Sequence, residues 1–422
     1  MINPKLIKEL TVRINRPEIY DHLRVLYPKL HEKKISKKLR LSFLQPSSSP
    51  SFVDLKIKYV DTFLLDNNTN LNLNHNNKQQ DYNYLTVVAI HGCPGNYNHF
   101  KQLINHYCNN SLQQYQQLYH HQQKQQKQPS HLLPPVRVIV PNMPDFTHTR
   151  YLYHQYHCNN SNKNIFWHTT IEKTLFLQSF LCQLNIKQID CLVSHSLGFQ
   201  TVTALTAEQT SKHNHDHHHA IFEPDKNNNE DHLNNNAQIR IRSLALMSPT
   251  PLWGQLLPKE LIMNKIFQYV FKKFPSFWYS IFESGRIHRL PIWPVKFANI
   301  DEYLLFSIIQ LDHLTNKDAK QRIDYIRDCT TIPVTVLYGS ADPVIDKCSM
   351  NGIYDRLGIR PDKIIHIDYP DDYDPVNESF VNNQRFNGYM ITGGGHFVHA
   401  KYANISNRIV DNLLLSLSSS SN

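Results

Sequence analysis

The chain has 422 residues, 44 Lys plus Arg against 35 Asp plus Glu, a formal charge of +9, and 41% hydrophobic residues. That length buries a substantial core in one large α/β domain or two ordinary ones, and no apolar run reaches the roughly 18 residues that would predict a transmembrane helix. Seven cysteines without a CxxC pair, and no apolar signal core within Met1 to Arg16, argue against secretion and for a cytoplasmic setting, with a mitochondrial one not set aside.

Residues 1–45 read as a basic N-terminal extension in which Lys33, Lys34, Lys37, Lys38 and Arg40 cluster. Such a cluster reads as a solvated face; weak contact with an anionic membrane surface is the alternative, and nucleic acid is not an expected partner. Val53 to Val60 alternates apolar and polar residues, the period of a half-exposed edge strand. Short, mostly apolar runs follow at Leu85 to Ile90, Val136 to Val140, Ile189 to Val193, Ile241 to Met247, Val334 to Tyr338 and Ile364 to Ile367, each the length of a buried strand. Between them Ile171, Leu175, Phe176, Phe180, Leu181 and Leu184 recur at helical spacing, and Phe199 to Gln209 and Ile405 to Leu415 also read as helices. Strands alternating with helices predict a mostly parallel sheet covered on both faces.

Asn, Gln and His crowd into blocks near residues 66–80, 109–130 and 210–236, and more weakly into 371–387. These blocks lack the apolar surface to offset the cost of ordering them and read as low-complexity surface insertions. The run His213-Asn214-His215-Asp216-His217-His218-His219 sits inside the third, a poor setting for a built metal site, and no metal or cofactor is expected.

In a parallel sheet the chemistry lies just past the carboxyl ends of the strands. There the sequence puts His91-Gly92-Cys93-Pro94-Gly95-Asn96, then Ser194-His195-Ser196-Leu197-Gly198, then Gly339-Ser340-Ala341-Asp342, and finally Gly393-Gly394-Gly395-His396 before the last helix. Glycine totals only 12, where average usage would give about 30. Most of those glycines stand in these loops, which marks where the backbone needs close approach or positive φ. Ser194 to Gly198 fits a nucleophile elbow, a strand ending in a sharp turn with Ser196 at the apex and a helix directly behind. Ser194 stands where glycine is usual, and Phe199 where a second small residue commonly follows.

This ordered set resembles the α/β-hydrolase superfamily over essentially everything outside the insertions. Within it, HGCPGNYNHF (91–100), IEKTLFLQSFLCQLNI (171–186) and GGGHFVHAKYANISNRI (393–409) are similar to hydrolase-like proteins of worms. The resemblance implies Ser196 as nucleophile, Asp342 as triad acid, His396 as base and Gly92-Cys93 as the oxyanion loop. Chemistry requires such a set: a serine hydroxyl needs a base, the base needs a carboxylate to fix its tautomer, and the oxyanion needs aligned donors. The backbone N–H groups of Cys93 and Leu197 are the natural donors, so the Cys93 thiol need only fill space. His195 is the rival base and Asp346 the rival acid.

Residues 251–330 fall where α/β-hydrolases carry a helical cap. Its aromatic density, with Trp253, Phe267, Phe271 and Trp278 as substrate-binding residues, favours a lid with an apolar underside over core-packing helices. The domain reading is therefore an extension at 1–45, a first part of the core at 46–250, the cap at 251–330 and a second part of the core at 331–422. The expected function is a serine hydrolase cleaving an ester, thioester or similar acyl bond of a lipophilic small molecule. A non-catalytic ligand- or protein-binding domain and an acyltransferase on the same triad remain the alternatives. Epoxide hydrolysis and dehalogenation fit badly, because those relatives use an aspartate where Ser196 stands.

Overall fold

A computed structural model describes residues 2–15, 52–63, 84–92, 95–108, 133–144, 170–218, 239–250, 316–345, 347–368 and 384–419. The strands in chain order are β1 Ile7–Asn15, β2 Phe52–Asp61, β3 Leu85–Ile90, β4 Val136–Pro141, β5 Gln188–Ile189, β6 Cys191–His195, β7 Arg240–Ile241, β8 Leu244–Met247, β9 Val334–Gly339, β10 Ile364–Ile367 and β11 Phe386–Ile391. Nine of them form one sheet in the order β1-β2-β4-β3-β6-β8-β9-β11-β10. The β1–β2 and β2–β4 pairings are antiparallel, and every other pairing in that sheet is parallel.

The period of two along each strand sorts side chains into two cores, one on each face. Val88, Ile90, Leu192, Leu244, Leu246, Val334 and Val336 face the first core, while Val87, Ala89, Cys191, Val193, Ala245, Met247 and Leu337 face the second. Strands buried on both sides need continuous apolar runs, and β3, LTVVAI, is buried at every position. The first core is closed by the helices Thr170–Gln183, Gly198–His218, Asn316–Cys329 and Lys347–Leu357. The second is closed by the helical residues 101–108 and the C-terminal helix Ala403–Ser419. This is the α/β-hydrolase fold expected from the sequence. No described helix is long and apolar enough to cross a membrane.

Several expectations need correction. The residues 1–45 are not all extension, because Ile7–Asn15 is a strand of the sheet, paired with β2 from Ile7 opposite Val60 to Asn15 opposite Phe52. Val12 on that strand is fully buried, and β2 is accordingly an interior strand and not an edge. The runs Ile189 to Val193 and Ile241 to Met247 are each broken in two. Buried Asp190 accepts hydrogen bonds from the Thr86 N–H at 2.7 Å, Gln188 Nε2 at 2.8 Å and Arg242 Nη1 at 3.1 Å. That hub steps the chain out of the separate β5–β7 pair and into the main sheet. The strand β11 begins inside the block 371–387 and slots between β9 and β10.

The end of the predicted cap is body. Asn316–Cys329 buries Ala319, Ile323 and Ile326 in the first core, and Arg322 Nη1 donates to the Gln200 carbonyl at 2.9 Å. The rest of the cap, including Trp253, Phe267, Phe271 and Trp278, lies outside the described residues. The helix behind Ser196 runs on to His218, into the expected third insertion.

Candidate active site

Ser196 sits between the end of β6 and the helix that starts at Gly198. Its φ is 50°, a left-handed conformation that costs a non-glycine residue about 1–3 kcal/mol. Surrounding backbone holds it there: the Ser196 N–H donates to the Met247 carbonyl at 3.0 Å. Its own carbonyl accepts from Phe199 at 3.1 Å and Thr250 at 3.2 Å. Neighbouring main chains press close. A Cβ at Gly198 would lie 2.5 Å from the Ile90 carbonyl oxygen, and one at Gly92 would lie 2.6 Å from Ser196 Cβ. The two departures from the elbow pattern are accommodated. Phe199 is fully buried in the first core, and Ser194 is fully buried within β6.

Asp342 lies just past β9, and His396 lies past β11, the strand hydrogen-bonded beside it. The structure brings these two loops together. His396 Nδ1 donates to Asp342 Oδ2 at 2.8 Å, with the carboxylate wholly buried and the imidazole 10% exposed. Asp342 Oδ1 accepts from the backbone N–H groups of Val344 at 2.8 Å and Ile345 at 3.0 Å, so both oxygens are held and the carboxylate cannot swing away. Gly339 permits the approach: a Cβ there would run into the Gly394 carbonyl. With the proton on Nδ1, His396 Nε2 carries the free lone pair. Among the described residues no hydrogen bond joins Ser196 Oγ to His396; catalytic bonds of this kind often tighten only in the complex with substrate. Asp346 and Cys93 lie outside the described residues.

The loop after β3 is set by His91. Its Nε2 accepts from the Met143 N–H at 2.9 Å, which leaves the proton on Nδ1 to donate to the Gly92 carbonyl at 2.7 Å. The Leu197 N–H, at the elbow, donates to no acceptor among the described residues.

Sequence reasoning missed what surrounds His396. Ring centres of His195 and His396 are 4.8 Å apart, of His195 and His399 4.2 Å, and of His99 and His195 6.1 Å, with Phe397 5.1 Å from His195. These residues come from three separate stretches of chain, so no local pattern announces them. Burial, followed by the nearby His91 and His396, lowers His99 to about 4. Burial with His99 and His396 nearby lowers His399 to about 3. His195 is also pushed well below the usual histidine range, chiefly by burial and then by His399 and His396. Among the described residues no group of side chains could hold a metal ion. His195 points its Nε2 at the His396 carbonyl, 3.1 Å away, and its Nδ1 has no partner among the described residues, so the expected rival base is bonded to the loop that carries His396.

Compared with models of known protein families and with curated proteins, the chain matches none. Solved structures are similar in fold over most of its length. A bromoperoxidase from Bacillus anthracis matches at 13% identity with a TM-score of 0.46, covering 86% of this chain and 96% of that one. A thermophilic esterase from Thermogutta terrifontis matches at 13% with a TM-score of 0.43, covering 88% and 97%. A haloalkane dehalogenase from Bradyrhizobium elkani matches at 11% with a TM-score of 0.46, covering 87% and 96%. At such values none of these activities transfers to the chain, and they do not bear on the expected likeness to worm proteins.

Proposed function

We propose that the chain is a serine hydrolase cleaving an ester, thioester or similar acyl bond of a lipophilic small molecule through an acyl-enzyme. The observation that carries the reading is the buried Asp342 carboxylate, tied by two backbone N–H groups and bonded to His396 Nδ1 at 2.8 Å. A carboxylate so fastened has one free task, to fix the imidazole tautomer and stabilise the imidazolium as it forms.

In the proposed reaction, Ser196 Oγ attacks the acyl carbon while His396 Nε2 takes the hydroxyl proton. The tetrahedral oxyanion is met by the Leu197 N–H and, as the sequence proposes, by the Cys93 N–H; loss of one such donor typically costs about 10²–10³ in rate. The proton on His396 then passes to the departing alcohol or thiol. The acyl group stays on Ser196 until water, deprotonated by the same Nε2, releases the acid and restores the serine. Left-handed φ at Ser196 and the close press of Gly92 support this geometry, since both are what a nucleophile at the apex of an elbow beside an oxyanion loop requires.

A fluorophosphonate probe tests the reading. Labelling that vanishes in Ser196→Ala is the expected result, and a wild-type protein that stays unlabelled would favour the non-catalytic binding alternative. Substrate class has its own test on esters of about two to twelve carbons. Each buried methylene is worth about 0.8 kcal/mol, roughly fourfold, so kcat/KM rises with chain length to at least medium chains if the site is lipophilic.

A further inference from the structure

We propose that His195 is a positioning residue that fastens the His396 loop to the central strand of the sheet through a hydrogen bond to the His396 carbonyl. The inference rests on the reading of His396 as the base. It begins with strand geometry: β6 alternates, Cys191 and Val193 face the second core, and His195, the last residue, keeps that direction. Its side chain is therefore thrown toward the C-terminal helices, where it is 1% exposed. Ser196, one residue on, leaves that strand alternation with a left-handed φ.

The loop that meets it is rich in glycine. Gly393, Gly394 and Gly395 precede His396, and glycine surrenders the most conformational freedom on being fixed. Gly393 and Gly394 are tied through Ser340 Oγ, the Ile391 carbonyl and the Ala341 N–H. Past them, among the described residues, the His396 carbonyl is held by His195 Nε2 at 3.1 Å and the His396 ring by Asp342 at 2.8 Å. These two bonds grip the residue from opposite sides, one by backbone and one by side chain. A carbonyl only accepts, so His195 must carry its proton on Nε2. The rings of His99, His396, His399 and Phe397 surround it, keep out water and fix its plane.

The test compares His195→Phe, which keeps a flat ring and loses the donor, with His195→Gln, which keeps an N–H donor without a titratable ring. On a p-nitrophenyl ester, His195→Phe lowers kcat and the rate of fluorophosphonate labelling by about 10–10²-fold with KM unchanged, as a displacement of about 1 Å does. His195→Gln recovers most of that loss at equal melting temperature. Full activity in His195→Phe, or a glutamine variant no better than phenylalanine, overturns the proposal. Where the phenylalanine variant does not fold, the ring ¹⁵N shifts of the wild-type protein decide: a protonated Nε2 on His195 supports the bond, and a protonated Nδ1 with bare Nε2 rules it out. A wild-type protein that neither hydrolyses esters nor takes the label refutes the hydrolase reading, while the ¹⁵N measurement still reports on the bond by itself.

Discussion

The two ends of the site are built from different materials. Ser196 is held by main chain: a strand behind it, a helix ahead, and three backbone hydrogen bonds to its own N–H and carbonyl. His396 follows three glycines and is held by side chains, Asp342 on the ring and His195 on the carbonyl. A backbone-built element keeps its shape when a side chain is cut away, whereas a side-chain-built one moves with each bond lost. In the proposed mechanism the Ser196 end therefore separates chemistry from architecture, and the His396 end combines them.

The largest effect tests that separation. Ser196→Ala should lower kcat on p-nitrophenyl esters by about 10⁶ while leaving the melting temperature and circular dichroism unchanged. Retained activity would remove Ser196 from the chemistry, and an unfolded variant would mean the elbow is not backbone-built. Next comes Asp342→Asn, expected to cost up to about 10⁴ in kcat by leaving the wrong imidazole tautomer. Rapid kinetics on both variants compares the ends directly, and the comparison fails if Asp346→Asn proves more damaging than Asp342→Asn.

Gly339→Ala probes the support beneath His396. Its Cβ would collide with the Gly394 carbonyl, so the loop carrying His396 must shift; a loss of about 10² in kcat is expected, with about 1–3 kcal/mol of stability lost in urea titration. The smallest effect is on stability against pH. His99 and His399 are lowered to about 4 and about 3 in the fold, against about 6.5 unfolded. The unfolded chain thus binds more protons in that window. Stability from these groups is complete above pH 6.5 and is lost as the pH falls toward 4, by about 1.4 kcal/mol per pH unit for each histidine. Denaturation midpoints between pH 7 and 5 measure the slope, and His99→Gln should flatten it; an unchanged slope would mean His99 is not the buried neutral group described.

Much of this was legible in the chain. Leu85 to Ile90 and Ile364 to Ile367 match β3 and β10 to the residue, because in each a single polar residue, Thr86 or His366, leaves the apolar run intact. Asp342 was marked by the apolar run of β9 just before it, whereas His396 was singled out by its glycine-rich motif and the resemblance that motif carries, since β11 ahead of it was not read as a strand. Where reading failed, a local signal was overridden by a distant one. Asp190 looks like one polar residue in an apolar run, yet Thr86 and Arg242, far away in sequence, turn it into a break. The strand β1 hides in a basic stretch, and β11, FNGYMI, hides behind an asparagine-rich one. The histidines around His396 come from separate stretches of chain that only the folded sheet brings together.

The order of strands has a consequence for how such a chain acquires its fold. Leu85 in β3 pairs with Val136 in β4, Leu192 in β6 with Leu244 in β8, and Leu244 in turn with Val334 in β9. The glutamine-rich block near 109–130, the asparagine- and histidine-rich block near 210–236, and the stretch 251–315 all fall inside these intervals, between partners that lie side by side in the sheet. Closing a longer interval is thermodynamically mild, since each doubling costs only about 0.6 kcal/mol. Kinetically it is severe, because parallel pairing across long separations must be found before it is rewarded. The chain can therefore lengthen these connections at little cost to equilibrium stability, and the burden falls on the time it spends unpaired, with its most apolar strands waiting for partners synthesised many residues later.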